Sequence, residues 1–136
     1  MNLREAFMEE FGNLSKKIQN NALQGKIQMF FRLELCEEIS KTDLAKALDV
    51  TEGNLVNAME NFILYGVVEE KDDTYMYKGY PPEFKDLVAM LPDRKKKLQD
   101  STDRLAALVS EAEAQGQEVK EFLRVISDIK RDFGLK

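Results

Sequence analysis

Thr42-Asp43-Leu44-Ala45-Lys46-Ala47-Leu48-Asp49-Val50-Thr51-Glu52-Gly53-Asn54-Leu55 is the stretch on which the fold turns. Ser40-Lys41-Thr42-Asp43 clusters turn and capping residues. Thr42 is placed to accept from a free amide at a helix start, with Asp43 near the positive end of the helix dipole. The spacing predicts a short helix from Asp43 to Leu48, broken by Asp49-Val50, and a second helix opened by Thr51 as N-cap. Leu44 and Leu48 aim the first of these helices at a core, Ala45 permits close approach, and Val50 fills the corner. Leu55, Met59, Phe62 and Ile63 line the inner face of the second helix, which Gly66 ends where a left-handed residue is needed. Val67–Glu70 and Thr74–Lys78, joined by Lys71-Asp72-Asp73, then read as a β-hairpin. Gly79-Tyr80-Pro81-Pro82 breaks regular structure and is the clearest internal boundary.

Upstream, Leu3, Phe7, Phe11, Leu14 and Ile18 fall on one helical stripe, predicting a helix over 2–20. Asn20-Asn21 interrupts it, and Leu23, Ile27, Phe30, Phe31 and Leu35 carry a second helix to about Glu38, either separate from the first or continuous with it through a kink. Downstream, Phe84, Leu87, Val88 and Leu91 predict a short helix stopped near Pro92. Leu98, Leu105, Ala112, Val119, Ile126 and Phe133 then recur every seven residues, with Ser101, Leu108, Gln115, Phe122 and Ile129 three positions later. A turn at Gln115-Gly116-Gln117 has no need to keep that phase, so its retention favours one continuous helix. The 36 positions from 98 to 133 then run about 54 Å. A rod of that kind cannot bury its seam alone, so a homodimer is expected through Leu98, Leu105, Leu108, Val119, Phe122, Ile126, Ile129 and Phe133. The expected division is an N-terminal helix (1–22), a central domain (23–82) and a C-terminal helical dimerisation region (83–136). The fold class is mainly α with a small β-hairpin.

The 136 residues leave room for one domain and an appended helix, and for no separate cofactor domain. With no histidine and the single Cys36, the chain offers no disulfide, no Cys/His zinc site and no histidine-dependent triad. Glycine-rich phosphate loops and calcium loops are absent. The acidic pairs Glu37-Glu38, Glu69-Glu70 and Asp72-Asp73 lack ligand spacing, so neither a metal nor another cofactor is expected, and an enzyme is disfavoured. No apolar run approaches the ~20 residues of a membrane span, and the N-terminus does not read as a secretory signal. A cytoplasmic protein without a membrane partner is expected. The net charge of −5 is uneven: residues 1–36 carry +1, 37–80 carry −6 and 81–136 carry 0.

Residues 23–80, with the order helix, short helix, turn, helix, hairpin, resemble a winged helix-turn-helix. The carrying residues are Thr42 to Leu55, then Met59, Phe62, Gly66, Val67 and Val68. Together with Tyr80-Pro81-Pro82-Glu83 and the charged heptad helix, the chain looks like the transcriptional regulators of the TrmB type, with MarR and ArsR regulators as close alternatives. The remaining residues leave no space for the sugar-binding domain of larger TrmB proteins. The resemblance implies a homodimeric, sequence-specific regulator of double-stranded DNA. Position by position, it assigns base reading to Thr51, Asn54, Asn57 and Asn61, since asparagine pairs bidentately with adenine. Phosphate contact would come from Lys41, Lys46, Lys71 and Lys78. Against this, Thr51 to Tyr65 contains no Lys or Arg and includes Glu52 and Glu60. The alternative is a protein–protein interaction module in which the acidic motif face meets a basic partner. An effector is left open, a pocket between the N-terminal helix and the tail being its natural place. Tyr75, Tyr77 and Tyr80 are read as packing residues of the hairpin rather than base-stacking ones.

Overall fold

The structure, a computed structural model, describes every residue from Met1 to Lys136. The chain is mostly helical with one small three-stranded antiparallel sheet. Helix α1 (Leu3–Gln19) opens on Asn2, whose side chain accepts from the Glu5 amide, and closes on Asn20 in the left-handed region. Asn21 caps α2 (Ala22–Glu34) by accepting from the Leu23 amide. The asparagine pair therefore ends one helix and starts the next, so the two are separate. They cross at Gly25, where a Cβ would lie 1.8 Å from the Phe11 carbonyl oxygen. Only glycine lets the backbones meet this closely, and the Gly25 amide donates to Ser15 Oγ at the crossing.

Leu35 in the left-handed region ends α2 earlier than expected, and Glu38–Ser40 become a strand, β1, that periodicity did not reveal. Ser40, not Thr42, caps α3 (Lys41–Leu48), accepting from the Asp43 amide. Thr42 Oγ1 donates instead to Glu52 on α4 (Glu52–Leu64), at 3.4 Å. Thr51 caps α4 as expected, accepting from the Asn54 amide. β2 (Val68–Lys71) and β3 (Thr74–Tyr77) form the expected hairpin, and β1 pairs with the far side of β3 to give the order β1-β3-β2. A three-residue strand with no apolar alternation leaves little trace in sequence. Its partner supplies the hydrogen bonds that define it.

The tail departs most from expectation. After the short α5 (Phe84–Ala89), α6 (Pro92–Ala114) and α7 (Lys120–Phe133) are two helices, so the single rod over 98–133 is corrected to a helical hairpin. Gly116 has φ +87°, its amide donates to the Glu113 carbonyl, and the Gln117 amide donates to the Ala112 carbonyl. These two bonds form a Schellman cap, which satisfies the last carbonyls of α6 and turns the chain. The same pair of bonds ends α4 at Gly66.

Two apolar cores result. One gathers Leu3, Phe7, Phe11 and Leu14 of α1, Met29 and Leu33 of α2, Val88 of α5, and Leu105, Val109, Ala112, Val119, Val125, Ile126, Ile129 and Phe133 of the tail. The heptad residues thus close on α1 and on each other, and the seam assigned to a second copy is filled by the chain itself. Leu105, Val119, Ile126, Ile129 and Phe133 are buried, and the less enclosed Leu98, Leu108 and Phe122 pack against the same core. The helix over 1–22 is accordingly a structural partner of 83–136. The second core joins Ile27, Phe30 and Phe31 of α2 to Leu44, Leu55, Met59, Val67, Val68 and Tyr75. Helix α2 serves both, its opposite faces committed to different clusters.

Candidate nucleic-acid interface

The α3–turn–α4 unit is held tightly at its corner. Asp49 adopts φ 55°, its amide donates to Lys46 O, and the Val50 amide donates to Ala45 O. Buried Leu44, Ala45, Leu55, Ala58 and Met59 fix both helices on the second core, each large side chain contributing about 1.5–3 kcal/mol by leaving water. The outer side of α4 is consequently set by elimination, and Asn54, Asn57 and Asn61 run along one flank of it.

These three amides do not share one environment. Asn54 and Asn57 are exposed, whereas Asn61 is half-buried and lines an apolar cavity behind the helix. Thr51 is exposed, with its oxygen engaged as the cap of α4. The surface thus leaves Thr51, Asn54 and Asn57 open to solvent, while Asn61, on the same flank a turn further along, is partly covered where it borders the cavity.

The lysines also divide. Lys41 forms an ion pair with Glu70 at 2.6 Å and lies over the Tyr75 ring, 5.4 Å from its centroid. The Glu70 hydrogen bond, opposed by desolvation, raises the Lys41 pKa above that of a free lysine. A lysine tied to a carboxylate and an aromatic face is a sheet fastening rather than a free phosphate contact. Lys78 lies 3.7 Å from Glu69, with both side chains well exposed, a pairing worth little. Lys46 on α3 and Lys71 at the end of β2 are exposed and form no ion pair. Glu52 and Glu60 share α4 with the asparagines, and Asp72 and Asp73 form the hairpin tip.

The tyrosines pack as expected. Tyr75 is fully buried, Tyr77 stacks on Phe31 with centroids 4.8 Å apart, and Tyr80 meets Phe84 and Phe133 edge-on. Burial raises the pKa of all three phenols, most strongly at Tyr80.

The feature that sequence reading located only loosely is the cavity behind α4. Its volume is about 310 Å³, and it lies where α1, α2, α4, α5 and α6 meet. Phe11, Leu14, Phe62 and Val88 contribute apolar walls, and Gln24 and Asn61 are among its few polar ones. The sequence signal was Gln24 itself, a polar residue between apolar positions of α2, next to the glycine that admits α1.

Against models of known protein families the chain matches none, and no curated protein matches it significantly. No helix is long and apolar enough to cross a membrane.

Proposed function

We propose that residues 23–82 are a winged helix-turn-helix and that the chain is a sequence-specific DNA-binding transcriptional regulator. The observation that carries this reading is the pair of unencumbered amides, Asn54 and Asn57, on the exposed side of the second helix of a capped helix-turn-helix. The β2–β3 hairpin supports it: it follows α4 directly, and its Val68 and Tyr75 share a core with Leu55 and Met59 of α4, the position a wing would take. In this reading Asn54 and Asn57 face base edges in the major groove, and Lys46 and Lys71 contact phosphates. Two copies would double that grip. The surface joining them must be one other than the heptad seam, which is occupied within the chain. The test is binding to a pool of random double-stranded sequences at low salt. Enrichment of a motif that Asn57→Ala relaxes, while Lys46→Ala weakens all sequences alike, supports the reading.

A second reading, a protein-interaction module, is favoured by one specific observation. Glu70 neutralises Lys41, leaving few free cations around an acidic helix. Absence of DNA binding even at low salt, where phosphate attraction is strongest, would transfer the assignment to that module.

A further inference from the structure

We infer that the free cations gathered where the end of α1 meets the start of α6 form a second phosphate-contact surface, which engages the backbone of double-stranded DNA beyond the bases read by α4. This inference rests on the DNA reading and extends it. Lys16 and Lys17 fall in the last turn of α1, and Arg94, Lys95, Lys96 and Lys97 in the first two turns of α6. The two helices run antiparallel: Arg104 donates to Glu10, and Gln117 donates to the Met1 carbonyl. Lys17 and Lys97 lie seven residues from the Arg104–Glu10 pair, toward the same end of the helix pair. Residues 16–17 and 93–100 hold six cations and two acids, a net +4 in a chain whose total is −5.

Little within the chain answers these charges. Only Lys96 has an ion-pair partner, Asp100 at 2.9 Å, in a well-exposed pair worth little. Lys16, Lys17, Arg94, Lys95 and Lys97 have none, and all but Lys95 are exposed. The start of α6 is also the unfavourable end of the helix dipole for cations, and Arg94 and Lys97, three apart on one face, repel each other. A row of anions from outside relieves both costs. Double-stranded DNA is the polyanion that the placement favours. Arg94 borders the same cavity as Asn61 and Tyr65 of α4, so the patch continues the flank that carries Asn54 and Asn57. From Asn54 to Asn61 that flank advances about 10 Å, comparable with the ~12 Å width of the major groove. With the amides at base edges, cations beyond the C-terminal end of α4 meet the phosphates that border the groove. They bring the positive charge that Thr51 to Tyr65 lacks. An anionic lipid surface is the competing partner, drawn by the uncovered Met90 and Leu91. Asp86 and Asp93 bracket that corner in the chain, so a lipid sheet pressed onto it meets like charge.

The experiment measures binding of the full chain to the sequence bound best in the random pool, as a duplex trimmed to the motif and as one extended by a helical turn on each side. The wild type is expected to prefer the extended duplex by at least about tenfold at low salt. The combined variant Lys16→Gln, Lys17→Gln, Arg94→Gln, Lys95→Gln and Lys97→Gln loses that preference, and its slope of log affinity against log salt falls by about three or more. Its motif preference and circular dichroism spectrum are unchanged. Asn57→Ala does the reverse, relaxing the motif while keeping the gain from length. The inference alone is overturned if duplex binding and the Asn57 effect are present but the length preference is missing, or if the combined variant keeps both the preference and the slope. Loss of binding to phosphatidylserine vesicles in that variant, with duplex binding untouched, overturns it in favour of a lipid surface. Failure of the wild type to bind any duplex overturns the DNA reading and the inference together.

Discussion

Arg32 on α2 and Asp132 on α7, one hundred residues apart, form an ion pair at 2.8 Å with side chains only 3% and 10% exposed. Gln28 accepts from Arg32 Nε, and the guanidinium lies over the rings of Tyr80 and Phe133, 5.1 and 5.5 Å from their centroids. This contact ties the sheet-bearing half of the chain to the helical tail. Because Arg32 Nη2 already lacks a partner, the guanidinium has no reserve of hydrogen bonds. Removing its counter-charge by Asp132→Ala is expected to cost about 3–5 kcal/mol, as for other broken buried pairs. Replacing both members, Arg32→Met with Asp132→Leu, is expected to recover most of that loss. Urea unfolding of the three variants checks both expectations.

The closed heptad seam predicts a stability effect without an assembly effect. Leu105 is fully buried among α1, α6 and α7 residues. Leu105→Ala should lower stability by about 2–5 kcal/mol through lost burial and the cavity left behind. Any dependence of the unfolding midpoint on protein concentration should be the same in wild type and variant, because the seam is filled within the chain. A concentration-dependent midpoint that Leu105→Ala abolishes would contradict the arrangement.

Alkaline pH should weaken the fold. Burial raises the pKa of Tyr77 and Tyr80 in the folded chain, with Arg32 acting against it in both. In the unfolded chain the phenols ionise near pH ~10, while the folded chain keeps them protonated to higher pH. Their contribution is therefore complete below about pH 10 and is lost as pH climbs from there through the folded values. Urea midpoints at rising pH should fall across this window. Tyr77→Phe with Tyr80→Phe should flatten the dependence.

Among the lysines, the two exposed ones and the paired one should behave differently toward DNA. Lys46→Ala or Lys71→Ala should reduce the slope of log affinity against log salt by about one each, the signature of a released phosphate contact. Lys41→Ala should leave that slope nearly unchanged, because Glu70 already engages the ammonium. A loss of slope with Lys41→Ala equal to that with Lys46→Ala would show that the ion pair opens on DNA.

Helices with a strong apolar stripe were legible from spacing alone: α1 from its stripe Leu3 to Ile18, and α4 together with its boundaries, Thr51 and Gly66. β1 was not legible, because Glu38-Ile39-Ser40 has neither length nor alternation and exists through its pairing with β3. Thr42 lost the cap of α3 to Ser40 for a related reason: once β1 delivers Ser40 in extended geometry, the helix begins at Lys41. Of the proposed contact residues, the exposure of Asn54 and Asn57 followed from helical phase. The retreat of Asn61 required knowing that α1 and α5 lie behind α4.

Residue order by itself determined most helices, the hairpin and most inner faces, though not that of Ile63, which is exposed on α4; helical phase, caps and turn chemistry act within a few positions of the chain. The partner of each face belonged to tertiary structure. Leu105, Val119 and Ile126 present an apolar stripe that a second copy or α1 can bury equally well, and periodicity carries no information about which does. Gly116 decided it, because a left-handed residue between α6 and α7 folds the stripe back on itself. α1 then supplies from within the chain the surface that a straight rod must take from a partner.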